Sequence, residues 1–127
     1  MIKDLLKVLY LRIKYRRFET GYKLLRCFSE GKYISAYPLG KTTTYLENEW
    51  VERPEDCGPL AVFDTYENAL DFGDDIRPYA ILECKYKESH DNRLWFHRSW
   101  SRYVSDLPQG TKFADKLILI KKIRQKK

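Results

Sequence analysis

Tyr79-Ala80-Ile81-Leu82-Glu83-Cys84-Lys85-Tyr86 is the stretch on which the fold turns. Apolar and aromatic residues dominate it and Arg77-Pro78 leads into it, so it reads as a β-strand. Immediately upstream lies the clearest helix of the chain, at about residues 65–73. Asp64 or Thr65 can cap its N-terminus, and Glu67 falls three residues after Asp64, as a capping box needs. Ala69, Leu70 and Phe72 give it an apolar side, and Gly73 reads as its C-terminal stop. Before it comes a short buried strand, Leu60-Ala61-Val62-Phe63, introduced by the turn-forming run Pro54-Glu55-Asp56-Cys57-Gly58-Pro59.

Further toward the N-terminus the pattern is again of strands joined by turns. Tyr22 to Phe28, the turn Ser29-Glu30-Gly31-Lys32 and Tyr33 to Tyr37 predict a β-hairpin. Pro38-Leu39-Gly40-Lys41 is a second turn, and Thr42 to Leu46 a third strand. Residues 2–17 predict a helix, because Ile2, Leu5, Leu6, Leu9 and Ile13 recur at helical spacing on one face. A strand reading of its second half, with Leu9, Leu11, Ile13 and Tyr15 alternating with Tyr10, Arg12, Lys14 and Arg16, competes with this. Residues 88–108 are the least legible, and Lys116 to Ile120 forms the last strand. Strands linked by turns rather than by long helices argue for an α+β fold: one mostly antiparallel sheet, the 65–73 helix laid on it, and a basic N-terminal helix. The expected organisation is an N-terminal extension (1–18), an α+β domain (19–122) and a basic tail (123–127).

Composition sets outer limits. A chain of 127 residues with 15% aromatic residues, ten of them tyrosine, can bury a core without staples. Cys27, Cys57 and Cys84 are odd in number and irregular in spacing, so they read as reduced, structural thiols. Lys7, Arg12, Lys14, Arg16 and Arg17 interrupt the apolar opening, which makes a poor signal peptide, and no run is long enough to span a bilayer. The expected location is the cytoplasm, a host cell's cytoplasm if the protein is viral.

The net charge of +6 is unevenly distributed. Residues 1–26 hold eight bases against Asp4 and Glu19, and residues 116–127 hold six bases and no acid. Between residues 40 and 85 eleven acids face four bases. Such basic ends can meet a polyanion, pair with the acidic middle within or between molecules, or simply be solvated. A basic amphipathic helix can also lie on an anionic membrane surface, although such a helix more often docks on its own domain or on a partner.

A resemblance accompanies these features. Gly21-Tyr22-Lys23-Leu24-Leu25-Arg26, Gly31-Lys32, Ser35-Ala36, Tyr45, Trp50, Pro54, Gly58-Pro59-Leu60 and Val62-Phe63 form one part of the pattern. Glu67, Ala69, Pro108-Gln109-Gly110-Thr111 and Phe113-Ala114-Asp115 complete it. Over about residues 21–120 the chain resembles a diffuse set of small uncharacterised proteins of phages, prophages and mobile elements. The shared positions are turn residues and core aromatics, so the resemblance implies a fold and carries no catalytic residue.

Candidate chemistry is sparse. Cys84, His90 and His97, with Cys57, offer zinc-type ligands, but at spacings of no usual finger, and a Cys–His nucleophilic pair has no local signature. Asp71, Asp74 and Asp75 lack the spacing of a calcium loop. No metal, cofactor or catalytic set is assigned. Arg26, Ser35 and Glu83 could line an ADP-ribosyltransferase-like cleft of a nucleotide-handling enzyme, although Ser35 follows Arg26 too closely for that family. The best surface is the run from Arg93 to Tyr103, where Trp95 and Trp100 could stack on bases while Arg93, Arg98 and Arg102 hold phosphates. Core packing by the same aromatics is the plainer alternative. With Arg12, Arg16 and Arg17 of the N-terminal segment, these residues make up the expected nucleic-acid-binding set. The sequence therefore points to a non-enzymatic accessory protein binding nucleic acid or a host protein. The alternatives are the small enzyme, or a protein-only module using the acidic middle.

Overall fold

The computed structural model describes residues 2–35, 43–54, 57–73, 79–91, 93–96, 100–103 and 107–126, with the backbone course alone for 94–96 and 100–103. In chain order the elements are α1 (Ile2–Lys14), β1 (Glu19–Ser29), β2 (Lys32–Ser35), β3 (Thr44–Leu46), β4 (Trp50–Glu52) and β5 (Leu60–Phe63). Then follow α2 (Tyr66–Gly73), β6 (Tyr79–Glu88), β7 (Arg93–Phe96), β8 (Trp100–Tyr103) and β9 (Thr111–Lys126). Antiparallel sheet with helices laid on it is the α+β architecture read from the sequence, and α2 starts within one residue of the predicted 65–73 helix.

Every residue of β6 from Tyr79 to Tyr86 is buried. The strand lies between β1, paired from Glu19↔Tyr86 to Arg26↔Tyr79, and β9, paired from Tyr79↔Lys126 to Glu88↔Ala114. The far edges of those two neighbours then meet. β5 pairs with β9 through Leu60↔Ala114 to Phe63↔Thr111, and with β1 through Tyr22↔Phe63, so β1, β6, β9 and β5 form a closed ring. At the other end β2 and β3 extend from β1, and Glu47 bridges to Leu119 of β9. Closure over so few strands demands strong curvature. Three register shifts along the β6–β9 ladder supply it, since each bulge bends the strand and tightens its twist.

The sequence accounts for the two-sided burial. Alternate residues of β6 point inward, where Ala80, Leu82, Cys84 and Tyr86 meet Leu25, Tyr45, Val62 and Leu117. On the outer side Tyr79 and Ile81 join Leu24, Phe63 and Ala69 beneath α2. The α2 cap is Thr65, whose Oγ1 accepts the Asn68 N–H at 3.1 Å, while Asp64 Oδ1 accepts from Asn68 Nδ2. Of the two cap residues the sequence offered, Thr65 therefore takes the role. Gly73 is the last residue of α2 and is there for close approach, since a Cβ would lie 2.9 Å from Leu24 Cδ1; its φ is not positive, so it is not a left-handed stop. Gly31, with φ 72°, makes the predicted β1–β2 turn.

Three expectations are revised. The N-terminal helix ends at Lys14, not at residue 17, because a turn through Tyr15-Arg16-Arg17 brings Tyr15 and Phe18 together onto Trp50. The illegible 88–108 region contains a hairpin of its own, β7–β8, in a separate two-stranded sheet. The C-terminal bases are not a frayed tail: β9 runs through Lys126, held by main-chain pairing to Tyr79 and Ala80.

Among the described residues the ring interior holds one charged-type residue that its pattern did not announce. Lys23 points inward, its Nζ donating to the Ala61 carbonyl oxygen at 2.5 Å and lying 5.4 Å from the Tyr45 ring centroid. Burial pushes its pKa down to about 8, and burial pushes the nearby Cys84 thiol up to about 12. A shift of that size on Lys23 corresponds to on the order of 3 kcal/mol carried by the charged form. Below about pH 8 folded and unfolded chains are both protonated there, and the penalty is complete. From about 8 up to the ordinary value of 10.5 the folded state binds fewer protons, so this group's contribution to stability rises with pH. Lys23→Met is expected to be more stable than wild type near neutral pH by on the order of 1–2 kcal/mol, after the lost hydrogen bond is allowed for. Urea denaturation should show that advantage shrinking as pH rises above about 8. A constant gap between the two proteins would mean that Lys23 is not desolvated in the ring.

Candidate docking face

Asp4 in its first turn and Arg12 and Lys14 in its last suit the dipole of α1. The helix touches the ring with little of its surface. Leu11 is buried, and Val8 and Tyr15 are partly so, against Ile118 and Ile120 of β9 and Trp50 of β4. Positions 8, 11 and 15 form a helical stripe of their own, separate from the one that dominates the sequence. Two further contacts fix the rotation of the helix. Arg12 grips Glu83 through both carboxylate oxygens, at 2.9 and 2.6 Å. Tyr15 meets Trp50 edge-on with centroids 5.1 Å apart, and Lys116 lies 4.7 Å from the Trp50 ring centroid.

With that rotation set, the stripe that dominates the sequence points away from the ring, so of the two seats open to it, domain or partner, the domain is not the one. Ile2, Leu5, Leu6, Leu9 and Ile13 are 74, 56, 59, 43 and 62% exposed, and Tyr10 beside them is 60% exposed. At 3.6 residues per turn their mean direction is about half a turn from Leu11. The physical reason is that the outer wall of β9 receives the 8/11/15 stripe, and this orientation brings Arg12 onto Glu83. The face amounts to on the order of 500 Å² of mostly apolar surface, at the upper end of what a monomer leaves uncovered. Covering five half-exposed aliphatic side chains is worth roughly 5 kcal/mol. Lys3, Lys7 and Lys14 lie along one flank and Arg16 and Arg17 follow in the turn, all exposed and in no ion pair among the described residues. Lys14 rests near the Tyr10 and Tyr15 rings, at 5.7 and 5.4 Å.

The remaining sequence candidates are scattered. Arg12 is committed to Glu83, and Arg93 is exposed at the start of β7. Trp95 lies on β7, paired with Ser101, while Trp100 and Arg102 lie on β8, paired with Phe96 and Leu94, so the two tryptophans are not cross-strand partners. Arg98 and His97 lie outside the described residues. Among the described residues no strand pairing joins the β7–β8 ribbon to the segment carrying Arg12, Arg16 and Arg17. Arg26, Ser35 and Glu83 do not line one cleft. Ser35 is paired with inward-facing Leu25 and holds Thr43, whereas Glu83 faces outward to Arg12. Arg26 falls on the outer face, opposite Tyr79 rather than Glu83. Cys84 is inside the ring and His90 exposed beyond β6, and among the described residues no three potential ligands gather around a metal position.

The exposed stripe was itself visible in the sequence; its outward direction was not, because periodicity reports a face and not what covers it. Among the described residues no helix is long and apolar enough to cross a membrane. Comparison with protein-family models, with curated proteins and with solved structures gave no significant match.

The Arg12–Glu83 pair orients the whole face, so it is the place to perturb. Glu83→Gln is expected to destabilise by about 1–2 kcal/mol, less than a fully buried pair because the Arg12 side chain is 40% exposed. A double-mutant cycle with Arg12→Ala, read by urea denaturation, should give a coupling near 1 kcal/mol. Additive effects would show that the pair does not hold α1.

Proposed function

We propose that the protein is a non-enzymatic binding module whose working element is α1, presented apolar side outward by the closed sheet. The single observation that carries this is the exposure of Ile2, Leu5, Leu6, Leu9 and Ile13 on a helix pinned by Leu11 and Arg12. A helix free to choose would bury its stronger stripe; here ion pairing and aromatic packing hold it the other way. Nucleic acid is the weaker reading of the same element. Phosphates would suit Lys3, Lys7, Lys14, Arg16 and Arg17, but not the aliphatic ridge beside them.

The test separates a presented face from a packed one. Leu6→Ser with Leu9→Ser should leave stability within about 0.5 kcal/mol of wild type, as expected for exposed positions. Leu11→Ala should cost about 2 kcal/mol. A loss of several kcal/mol from the Leu6/Leu9 pair would mean that those side chains are core, and the reading would fall. Labelled single- and double-stranded DNA and RNA, titrated at several salt concentrations, should bind weakly and fade as salt rises. Tight nucleic-acid binding that the Leu6/Leu9 pair leaves untouched would transfer the function to the bases alone.

A further inference from the structure

We infer that the outward face of α1 docks on an anionic lipid surface, with the helix axis in the plane of the headgroups. This rests on the reading of α1 as the binding element, and names what it binds. The chemistry of the face is sorted in the way an interfacial helix requires. Ile2, Leu6, Leu9 and Ile13 form the outermost ridge, Leu5 and Tyr10 flank it, and Lys3, Lys7 and Lys14 stand beside it, placed to reach headgroup phosphates while their stems cover apolar surface. Tyrosine at the border of such a ridge is the residue type that favours the membrane–water boundary. The one acid of the helix, Asp4, falls on the Leu11 side, away from that boundary.

The alternatives fit less well. Ile2, Leu6, Leu9 and Ile13 also have the 4-3-4 spacing of a coiled-coil seam, which raises a second copy of this chain as occupant. Within α1 the positions flanking that seam are Lys3, Leu5, Tyr10 and Arg12, with no acid among them. Two copies would therefore bring no opposite charges together across the seam, and Arg12 is already held by Glu83. The area on offer, on the order of 500 Å² per copy, is also below the ~800 Å² per partner of a stable interface. A protein groove that wraps the helix would need the side already occupied by Ile118, Ile120 and Trp50. A planar surface needs only the side that is free. Neither charge nor apolar area alone gives firm attachment to a bilayer, and the two together are what α1 offers.

The experiment is co-sedimentation of the full chain with vesicles of phosphatidylcholine alone, and with about 30% phosphatidylserine added. Binding is expected at least about tenfold tighter to the anionic vesicles, weakening as salt rises. Leu6→Ser with Leu9→Ser, and separately Lys3→Glu with Lys7→Glu and Lys14→Glu, should each weaken it by about tenfold or more. No binding to anionic vesicles at low salt overturns the inference, as does equal binding to both vesicle types. Binding indifferent to the Leu6/Leu9 pair overturns it too, since attachment would then be by charge alone. Vesicle binding absent, with a dimer in sedimentation velocity that the same pair abolishes, assigns the face to a second copy instead. If the Leu6/Leu9 pair is neutral to stability while vesicles do not bind, α1 remains a presented face and only its lipid partner is refuted.

Discussion

The closed sheet and both helices are arranged around a strand that has no solvent side from Tyr79 to Tyr86. β6 is covered inside the ring by Leu25, Val62 and Leu117, and outside by α2 at one end and the Arg12 end of α1 nearer the other. A strand covered on both faces must satisfy its polar side chains as well as its backbone. Glu83 does so with Arg12, and Lys85 Nζ donates to Thr20 Oγ1 at 2.6 Å. The two helices are thus placed by what β6 needs: Tyr79 and Ile81 call for the apolar side of α2, and the carboxylate of Glu83 calls for a cation, which α1 carries in.

That arrangement explains what the sequence made legible. β6 reads as a strand because its residues are aromatic, branched or apolar nearly without interruption, as strands buried on both faces tend to be. The α2 boundaries were marked by local chemistry, Thr65 at the start and Gly73 at the end, and the β1–β2 hairpin by Gly31. Ring closure left no such mark. It depends on Tyr22 meeting Phe63 and on bulges in β9, events between residues far apart whose only local trace is imperfect alternation from Ala114 to Lys122. The extension of β9 to Lys126 was hidden for a related reason: a run of lysines looks like a tail unless the partner strand is known.

The candidate site was legible in its parts and not in its orientation. Two stripes coexist on α1, and the stronger one by hydropathy is the one left outside. Composition ranks stripes by apolar content, whereas docking here is decided by the edge of Tyr15 against Trp50 and by one carboxylate within reach of Arg12. Lys23 is the complementary case. Read along the chain it is one more base in a basic segment; in space it lies with Tyr45 inside the ring, its ammonium bonded to the Ala61 carbonyl.

The order of the strands along the chain has a consequence for biosynthesis. α1 is translated before the wall that receives Leu11, which is built from Ile118 and Ile120 far later in the chain. Glu83, the anchor of Arg12, belongs to a strand whose outer neighbour is that same β9. Until β9 leaves the ribosome, α1 is a basic helix with apolar residues on two sides and no seat for either. Between the synthesis of α1 and that of β9 the nascent chain therefore exposes more greasy, cationic surface than the folded domain does. Whatever attends it during that interval, a chaperone or a nearby bilayer, meets the helix before the rest of the fold exists.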